Sequence, residues 1–459
     1  MNIALIYPAT NFDNIYHKFA LPTGLLSLAS VVEERGLAKV DIFDSRHMDA
    51  VPSATDLINY DVIGFTAMSM QITHALSLAR EIRAKGYDGP IVFGGPHASV
   101  APEHLKEQEV VDAVFIGEAE DSFCQYLLRL SGKEYLLHRV WVRDSEGWAY
   151  HDGDGFIQDL DSLPFPSRGK YDSVIKESRS INITTTRGCP YRCNYCQPSK
   201  EILFGKRIRR RSVKNIIAEI RQYIDEYAIN SFSIDDDTFT FNDTVVQEFC
   251  EAVKPLHISW TCQTRTDIKK QTLQLMKDAG CVSLFVGVES GSQRMLDLME
   301  KNNTVLNNEK FIRVCSELGV SVWCNMMVGY PGETIQDMSE SLDFLRRVHP
   351  DRVCVSQVTP FPGTNVWSQN IDDVIQRDWD DMARHVRRPK FKSMVAMQPV
   401  IEFYVMLMSK EFNGIMIGRY LPWDGLIACL LFQFPQIGSS LLETASSLKG
   451  VLIRALRRS

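Results

Sequence analysis

The chain has 459 residues, room for about three domains at roughly 150 residues each, or for one large barrel with flanking modules. Apolar residues make up 45% and charged residues 23%, the balance of an ordinary soluble globular protein. The formal charge of −7 argues against a nucleic-acid partner held by phosphate neutralisation and favours a small or uncharged ligand.

The opening residues Ile3-Ala4-Leu5-Ile6 read as a buried strand, with no positively charged signal-peptide region before them. No stretch reaches the roughly 18 apolar residues of a spanning helix. The nearest, Leu426 to Phe434, is stopped by Pro435. Eleven cysteines, an odd number without framework spacing, argue against a disulfide scaffold. A reducing, cytoplasmic compartment is expected, and it suits thiolates that bind metal.

Over the first 130 or so residues, short β-branched runs alternate with helical patterns. Strands are predicted at Ile3–Tyr7, Val40–Phe43, Val62–Thr66, Ile91–Phe93 and Ala113–Ile116, with helices such as Leu25–Glu34 and Ala75–Lys85 between them. Five such strands imply a doubly wound (flavodoxin- or Rossmann-like) parallel sheet, which binds ligands at its carboxyl edge. The distinctive residues stand at those ends: Asp44, Thr66, the Gly94-Gly95-Pro96-His97 turn, and Gly117-Glu118. A polar stretch from Arg139 to Ser180, with Leu163-Pro164-Phe165-Pro166, reads as a linker or capping segment.

A second alternation begins at Ile181–Thr185. Ser212 caps a helix with apolar positions Ile216, Ile217, Ile220, Tyr223 and Ile224. Phe232–Ile234, a helix at Val246–Val253, Trp260–Gln263 and a helix at Leu273–Ala279 follow, the last ending at Gly280. Ser283–Val288, a helix to Leu318-Gly319, Val320–Val328, a helix at Thr334–Val348 and Val353–Val358 complete six β/α units, a complete or partial barrel. The domain reading is 1–135, a linker at 136–180, a barrel at 181–365 and a helical region at 366–459.

Just after the first strand of the second half stands Gly188-Cys189-Pro190-Tyr191-Arg192-Cys193-Asn194-Tyr195-Cys196. Three thiolates spaced C-x3-C-x2-C in one loop can hold three irons of a [4Fe–4S] cubane and leave the fourth open, whereas an electron-transfer cluster takes four. The alternative is a structural zinc loop. Zinc wants four ligands, and no fourth Cys or His lies close by in sequence.

This loop resembles that of the radical SAM superfamily, with Tyr195 as the aromatic before the last cysteine. Three further segments resemble its S-adenosylmethionine (SAM) motifs. Ser233-Ile234-Asp235-Asp236-Asp237 resembles the amino-group contact, Gly287-Val288-Glu289-Ser290-Gly291 the ribose contact, and Met327-Val328-Gly329-Tyr330-Pro331 the adenine side. The resemblance implies that Cys189, Cys193 and Cys196 ligate the cluster, that Asp236, Asp237, Glu289, Ser290 and Gly329 help seat SAM, and that one electron from the cluster cleaves SAM to a 5′-deoxyadenosyl radical. Such chemistry demands a dry, closed site, with the cofactor carrying the reaction. Arg265, on the third strand, is a candidate partner of the SAM carboxylate, with a surface salt bridge as the alternative.

The N-terminal sheet resembles the cobalamin-binding domain of many radical SAM proteins. The matching residues are Thr23, Gly24, Asp44, Thr66, Gly94, Gly95, His97, Gly117 and Glu118, the glycines allowing close approach of a large flat cofactor. The D-x-H-x-x-G of histidine-ligating relatives is absent; the place reads Pro8-Ala9-Thr10-Asn11-Phe12-Asp13. His47 reads as a solvated loop residue. The alternative is a flavodoxin-like sheet without cobalamin.

Together these resemblances imply a cobalamin-dependent radical SAM methyltransferase acting on an unactivated carbon or phosphorus of a small molecule or lipid. The rivals are a radical cyclase or rearrangement enzyme, and a cobalamin-binding sensor without catalysis. The run Lys206-Arg207-Ile208-Arg209-Arg210-Arg211 is either solvated surface or a steering patch for an acidic substrate or a reductant such as flavodoxin or ferredoxin. The apolar stretch Phe403–Phe434, followed by Lys449, Arg454, Arg457 and Arg458, is a helical cap or an interfacial helix making a peripheral membrane contact.

Overall fold

A computed structural model describes residues 1–9, 20–46, 53–196, 199–205, 207–375, 379 and 389–411. The chain forms two compact units. The first takes residues 1–190, 197–260 and 377–382, and the second takes 191–196, 261–376 and 383–459.

In the first unit the β-branched runs form strands β1 (Asn2–Tyr7), β2 (Lys39–Asp44), β3 (Val62–Thr66), β4 (Ile91–Gly94) and β5 (Ala113–Phe115). They lie parallel in the order β2-β1-β3-β4-β5. Side chains alternate across the sheet because the strand period is two. Ile3 and Leu5 therefore pack with Leu25, Ala29 and Val32 of α1 (Thr23–Glu34), and Ala4 and Ile6 pack on the other face with Ile72, Ala75 and Ala79 of α2 (Ile72–Ala84). Each of these buried leucine, isoleucine and valine side chains contributes about 1.5–3 kcal/mol, and each alanine methyl about 0.8 kcal/mol. The chain reverses its winding between β1 and β3, which marks the ligand-binding crevice of a doubly wound sheet. Gly94-Gly95-Pro96-His97, read as a turn, instead opens a short helix, α3 (Gly95–Val100), with proline in its first turn.

Residues 136–180 hold a feature absent from the sequence reading. β6 (Val140–Asp144) and β7 (Gly147–His151) form a hairpin that adds antiparallel to β5. Val140 and Val142 are fully buried, and Trp141 and Trp148 pack half-buried against the core on the other side of the sheet, so the run of fully buried apolar residues is only two long. Arg143 and Trp148 fasten the hairpin by donating to the carbonyls of Lys106, Gln108 and Glu109. The edge of β5 is thereby covered.

The six β/α repeats follow in chain order, and with the doubly wound sheet they define the fold class, a partial (β/α)6 barrel after a flavodoxin-like domain. Within the first unit β8 (Ser180–Ile183) pairs parallel with β11 (Ser231–Ile234). Between them β9 (Thr186–Arg187) pairs antiparallel with β10 (Arg209–Arg210). α4 (Val213–Tyr227) follows, capped by the Ser212 hydroxyl, which accepts the Asn215 N–H. β12 (Ser259–Thr264) leads into the second unit. There β13 (Cys281–Glu289), β14 (Ser321–Val328) and β15 (Arg352–Gln357) run parallel, separated in sequence by α5 (Val305–Leu318) and α6 (Ile335–Val348). Gly280 and Gly319 end their helices in left-handed backbone, and Thr334 with Asp337 forms a capping box. Among the described residues no helix is long and apolar enough to cross a membrane. Most of the stretch Phe403–Phe434, from residue 412 onward, and the closing basic residues lie outside the described residues.

Candidate active site

At the carboxyl ends of the parallel strands the first unit encloses a cavity of about 320 Å³. Thr23, Gly24, Thr66, Gly94, Gly95, Gly117 and Glu118 all line it, so most of the predicted cobalamin contacts converge. Its floor is Leu5, Gly64, Phe65, Val92 and Phe93; its walls include Leu163, Pro164, Phe165 and Pro166 from the stretch read as a linker or cap. Two glycines are sterically required. Gly95 (φ +84°) would bring a Cβ to 2.4 Å from Thr66 Oγ1, and Gly117 (φ +79°) to 2.8 Å from the Ile202 carbonyl oxygen. Gly24 differs: a Cβ there meets nothing within 4 Å and projects into open space. A broad, mainly apolar seat with glycine at its rim fits a large flat cofactor such as cobalamin.

Asp44 and His97 do not line this cavity. The Asp44 carboxylate is claimed by Arg46 and by the Tyr171 hydroxyl at 3.1 Å. His97 is fully buried between Ser69 Oγ (3.1 Å) and His104 Nδ1 (3.0 Å), with Trp379 against its ring. Burial, then His104, pushes its pKa down to about 3, so it stays neutral. His47 and the loop from Thr10 to Asp13 lie outside the described residues.

The cysteine loop grows from β9. Ahead of it, Asp236 accepts the backbone N–H groups of Thr185 (2.7 Å) and Thr186 (3.0 Å) and the Thr185 hydroxyl. Burial raises the Asp236 pKa to about 6. Asp236 thus anchors the start of the loop. Its neighbour Asp237 is half-buried.

In the second unit Asn194 pins the middle of the loop. Its Nδ2 donates to the Leu298 carbonyl (2.6 Å) and the Tyr330 hydroxyl (2.8 Å), and its backbone N–H to the Met299 carbonyl (3.2 Å). Arg265 is buried against the loop. Its Nη2 donates to the carbonyls of Lys301 and Asn302, Nη1 lies 3.9 Å from Cys193 Sγ, and the guanidinium stacks on Tyr191. Glu289 stands at a bulge in β13 with φ +68°, a strained conformation for a non-glycine residue. Its carboxylate pairs with Lys301 Nζ at 2.9 Å, and that ammonium also donates to the Tyr195 hydroxyl at 3.2 Å. Burial, then Glu289, raises the Tyr195 pKa well above its ordinary value.

Two other predicted SAM residues are tied into the scaffold. The Ser290 hydroxyl bonds to Ser341 Oγ and accepts the Ser292 N–H. Gly329 donates its N–H to the buried Glu333 carboxylate, whose pKa burial raises to about 8.

Cys189, Cys193 and Cys196 are half-buried and form no disulfide, and none of the three joins a ready-made group of metal-binding side chains among the described residues. Three thiols within eight residues, one beside a guanidinium, are the donor chemistry that a cubane with one open iron needs.

The basic run is not one exposed patch. Arg209 is paired with Glu118, and Arg211 with Glu219, both deeply buried, whereas Arg207 and Arg210 are exposed. Lys206 lies outside the described residues. Sequence reasoning missed Asn194, Lys301 and Arg187. Lys301 has no sequence signal, because only the fold brings it to Glu289; Asn194 and Arg187 adjoin cysteines that already drew the eye.

The profile of the Radical SAM superfamily matches residues 183–345, and that of the B12 binding domain matches residues 16–127. An uncharacterized methyltransferase of Pyrococcus horikoshii is 27% identical, over 81% of this chain and 83% of its own length. The cytidylyl-2-hydroxyethylphosphonate methyltransferase of Streptomyces wedmorensis is 25% identical over 86% of each chain. The radical S-adenosylmethionine methyltransferase TsrM of Kitasatospora setae, solved with tryptophan and a SAM analogue, superposes with a TM-score of 0.70 at 15% identity, covering 89% of each chain.

Proposed function

Because this chain belongs to the radical SAM enzymes that carry a cobalamin-binding domain, with a [4Fe–4S] cluster, SAM and cobalamin as its cofactors, we propose that it is a methyltransferase. Its acceptor is an unactivated carbon, or phosphorus, of a small molecule or lipid. The observation that carries this reading is the glycine-rimmed cavity at the sheet edge, built in the same chain as the C-x3-C-x2-C loop.

When bound, the cluster supplies the electron that cleaves SAM, and cobalamin supplies the methyl group. The chain does the rest. Cys189, Cys193 and Cys196 hold the cluster, and Arg265 keeps a positive charge beside Cys193. Asp236 anchors the start of the loop, and Asn194 pins its middle. Glu289 and Lys301, with Tyr195, present a buried charge pair suited to the polar groups of SAM. Thr23, Gly24, Thr66, Gly94, Gly95 and Gly117 shape the cobalamin seat. The apolar walls keep water out, as reactive intermediates require. We place the protein in the cytoplasm, with flavodoxin or ferredoxin as electron donor meeting exposed arginines such as Arg207 and Arg210. Membrane contact, if the substrate is a lipid, falls to the residues beyond 411.

The test is anaerobic incubation of the reconstituted protein with SAM and dithionite, followed by a search of extracts for products one methylene unit heavier. Methyl-labelled SAM must pass its label to product. Release of 5′-deoxyadenosine with an isomeric or cyclised product refutes methyl transfer. No 5′-deoxyadenosine at all refutes catalysis.

A further inference from the structure

We infer that Glu118, at the carboxyl end of β5, is a positioning residue for the iron–sulfur loop and not a contact of cobalamin. The inference rests on the reading of Cys189, Cys193 and Cys196 as cluster ligands. β9 and β10 pair for only two residues, and this short ladder closes the base of the stretch that carries all three cysteines. In it Arg187 stands directly opposite Arg209. Opposed side chains share one face of a ladder, about 5 Å apart at Cβ, and like charges placed so repel. Both arginines are buried, with side chains 14% and 9% exposed, so water does little to screen them.

Glu118 answers both charges. Its two oxygens take Arg209 Nη1 (2.9 Å) and Nη2 in a two-pronged pair, and Arg187 Nη1 lies 3.4 Å from Oε2. Glu120 takes Arg187 Nη2 at 2.6 Å and is itself steadied by Ser27 Oγ at 2.9 Å. Two cations and two anions balance in a buried quartet. Oε2 of Glu118 also accepts the Ile157 N–H at 2.8 Å. Three hydrogen bonds from protein donors occupy most of its accepting capacity, two of them on Oε2, which leaves little for a cofactor although the residue lines the cavity. Without Glu118 two buried guanidinium groups face each other with one carboxylate between them, and the stem of the loop opens.

The experiment compares wild type with Glu118→Gln, Arg209→Gln and the double variant, in the full-length chain. Arg192 and Arg207 are exposed trypsin sites within the loop. In the cofactor-free protein Glu118→Gln raises cleavage at these two sites about tenfold, because cleavage follows the open population. Iron and sulfide uptake and the EPR signal of the reduced cluster fall in parallel, while cobalamin binding, read by absorbance, stays within about twofold of wild type. Arg209→Gln is also damaging, because it leaves Glu118 and Glu120 sharing Arg187, and the double variant regains protection and iron relative to Glu118→Gln, since Arg187 and Glu120 remain balanced. This rescue also covers the case in which Glu118→Gln alone fails to fold. The inference is overturned if Glu118→Gln loads iron and resists trypsin like wild type, if it loses cobalamin alone, or if the double variant is as damaged as the single. Wild-type protein that takes up no cluster refutes the underlying reading instead, and the trypsin measurement tells the two failures apart.

Discussion

Replacement of Glu289 by leucine tests whether the charge pair beside the cluster loop is as buried as the structure shows. Lys301 Nζ lies 2.9 Å from the Glu289 carboxylate, and the two side chains are only 7% and 10% exposed. Removing one member of such a pair strands a charge away from water, at a cost of about 3–5 kcal/mol. A kcal/mol moves the melting temperature by about 2–4 °C for a unit of 150–250 residues, so Glu289→Leu should melt about 6–20 °C lower. Glu289→Leu/Lys301→Met, with both charges gone, should recover most of that loss, because a buried ion pair and an apolar pair of similar volume differ little. The assay is circular-dichroism melting of the cofactor-free chain, with calorimetric titration of SAM into the reconstituted protein alongside. SAM binding should stay impaired in the double variant even where melting recovers, because the polar groups themselves are missing. A melting point within about 2 °C of wild type for Glu289→Leu, or a double variant less stable than the single, would refute the reasoning.

Three further outcomes follow from the same geometry. Glu333, raised to about 8 by burial, keeps its proton in the folded chain while the unfolded chain, at about 4.5, has lost it. Stability therefore falls as pH rises from about 4.5 to about 8 and levels off above that. Urea titrations should show wild type losing ground to Glu333→Gln across this window; parallel curves would contradict it. Gly24→Leu projects a side chain into open space, so it should leave melting unchanged yet weaken cobalamin binding at least about tenfold by absorbance titration. Asn194→Ala breaks two side-chain hydrogen bonds and leaves the Tyr330 hydroxyl without that donor, and should cost about 1–3 kcal/mol by urea unfolding together with reduced iron uptake.

Much of the fold was legible because each element carries its own period. Val62–Thr66 and Lys39–Asp44 alternate or run apolar as strands do, and the Ser212-capped helix buries Ile216, Ile217 and Ile220 on one stripe. The hairpin at residues 140–151 was not legible, because at the sheet edge only Val140 and Val142 of it are fully buried. The cysteine loop could be read from spacing alone. Its supports could not. Lys301 reaches Glu289 past the short helix Gln293–Leu298, and Asp236 anchors Thr185 and Thr186, contacts that only the folded chain reveals. The basic run shows the limit most plainly. Six consecutive positions look like one solvated face, yet Arg209 points inward to Glu118, far away in the chain, and Arg211 to Glu219 on the helix that follows.

The Leu163-Pro164-Phe165-Pro166 wall of the cavity has a kinetic consequence. Two pyrrolidine rings hold the backbone near one conformation, and each proline also restricts the residue before it. A ligand arriving there meets a surface already shaped, and immobilises little that was moving. Arrival is then governed by diffusion into the opening, and differences in affinity among corrin-like ligands will be expressed in how long each one stays.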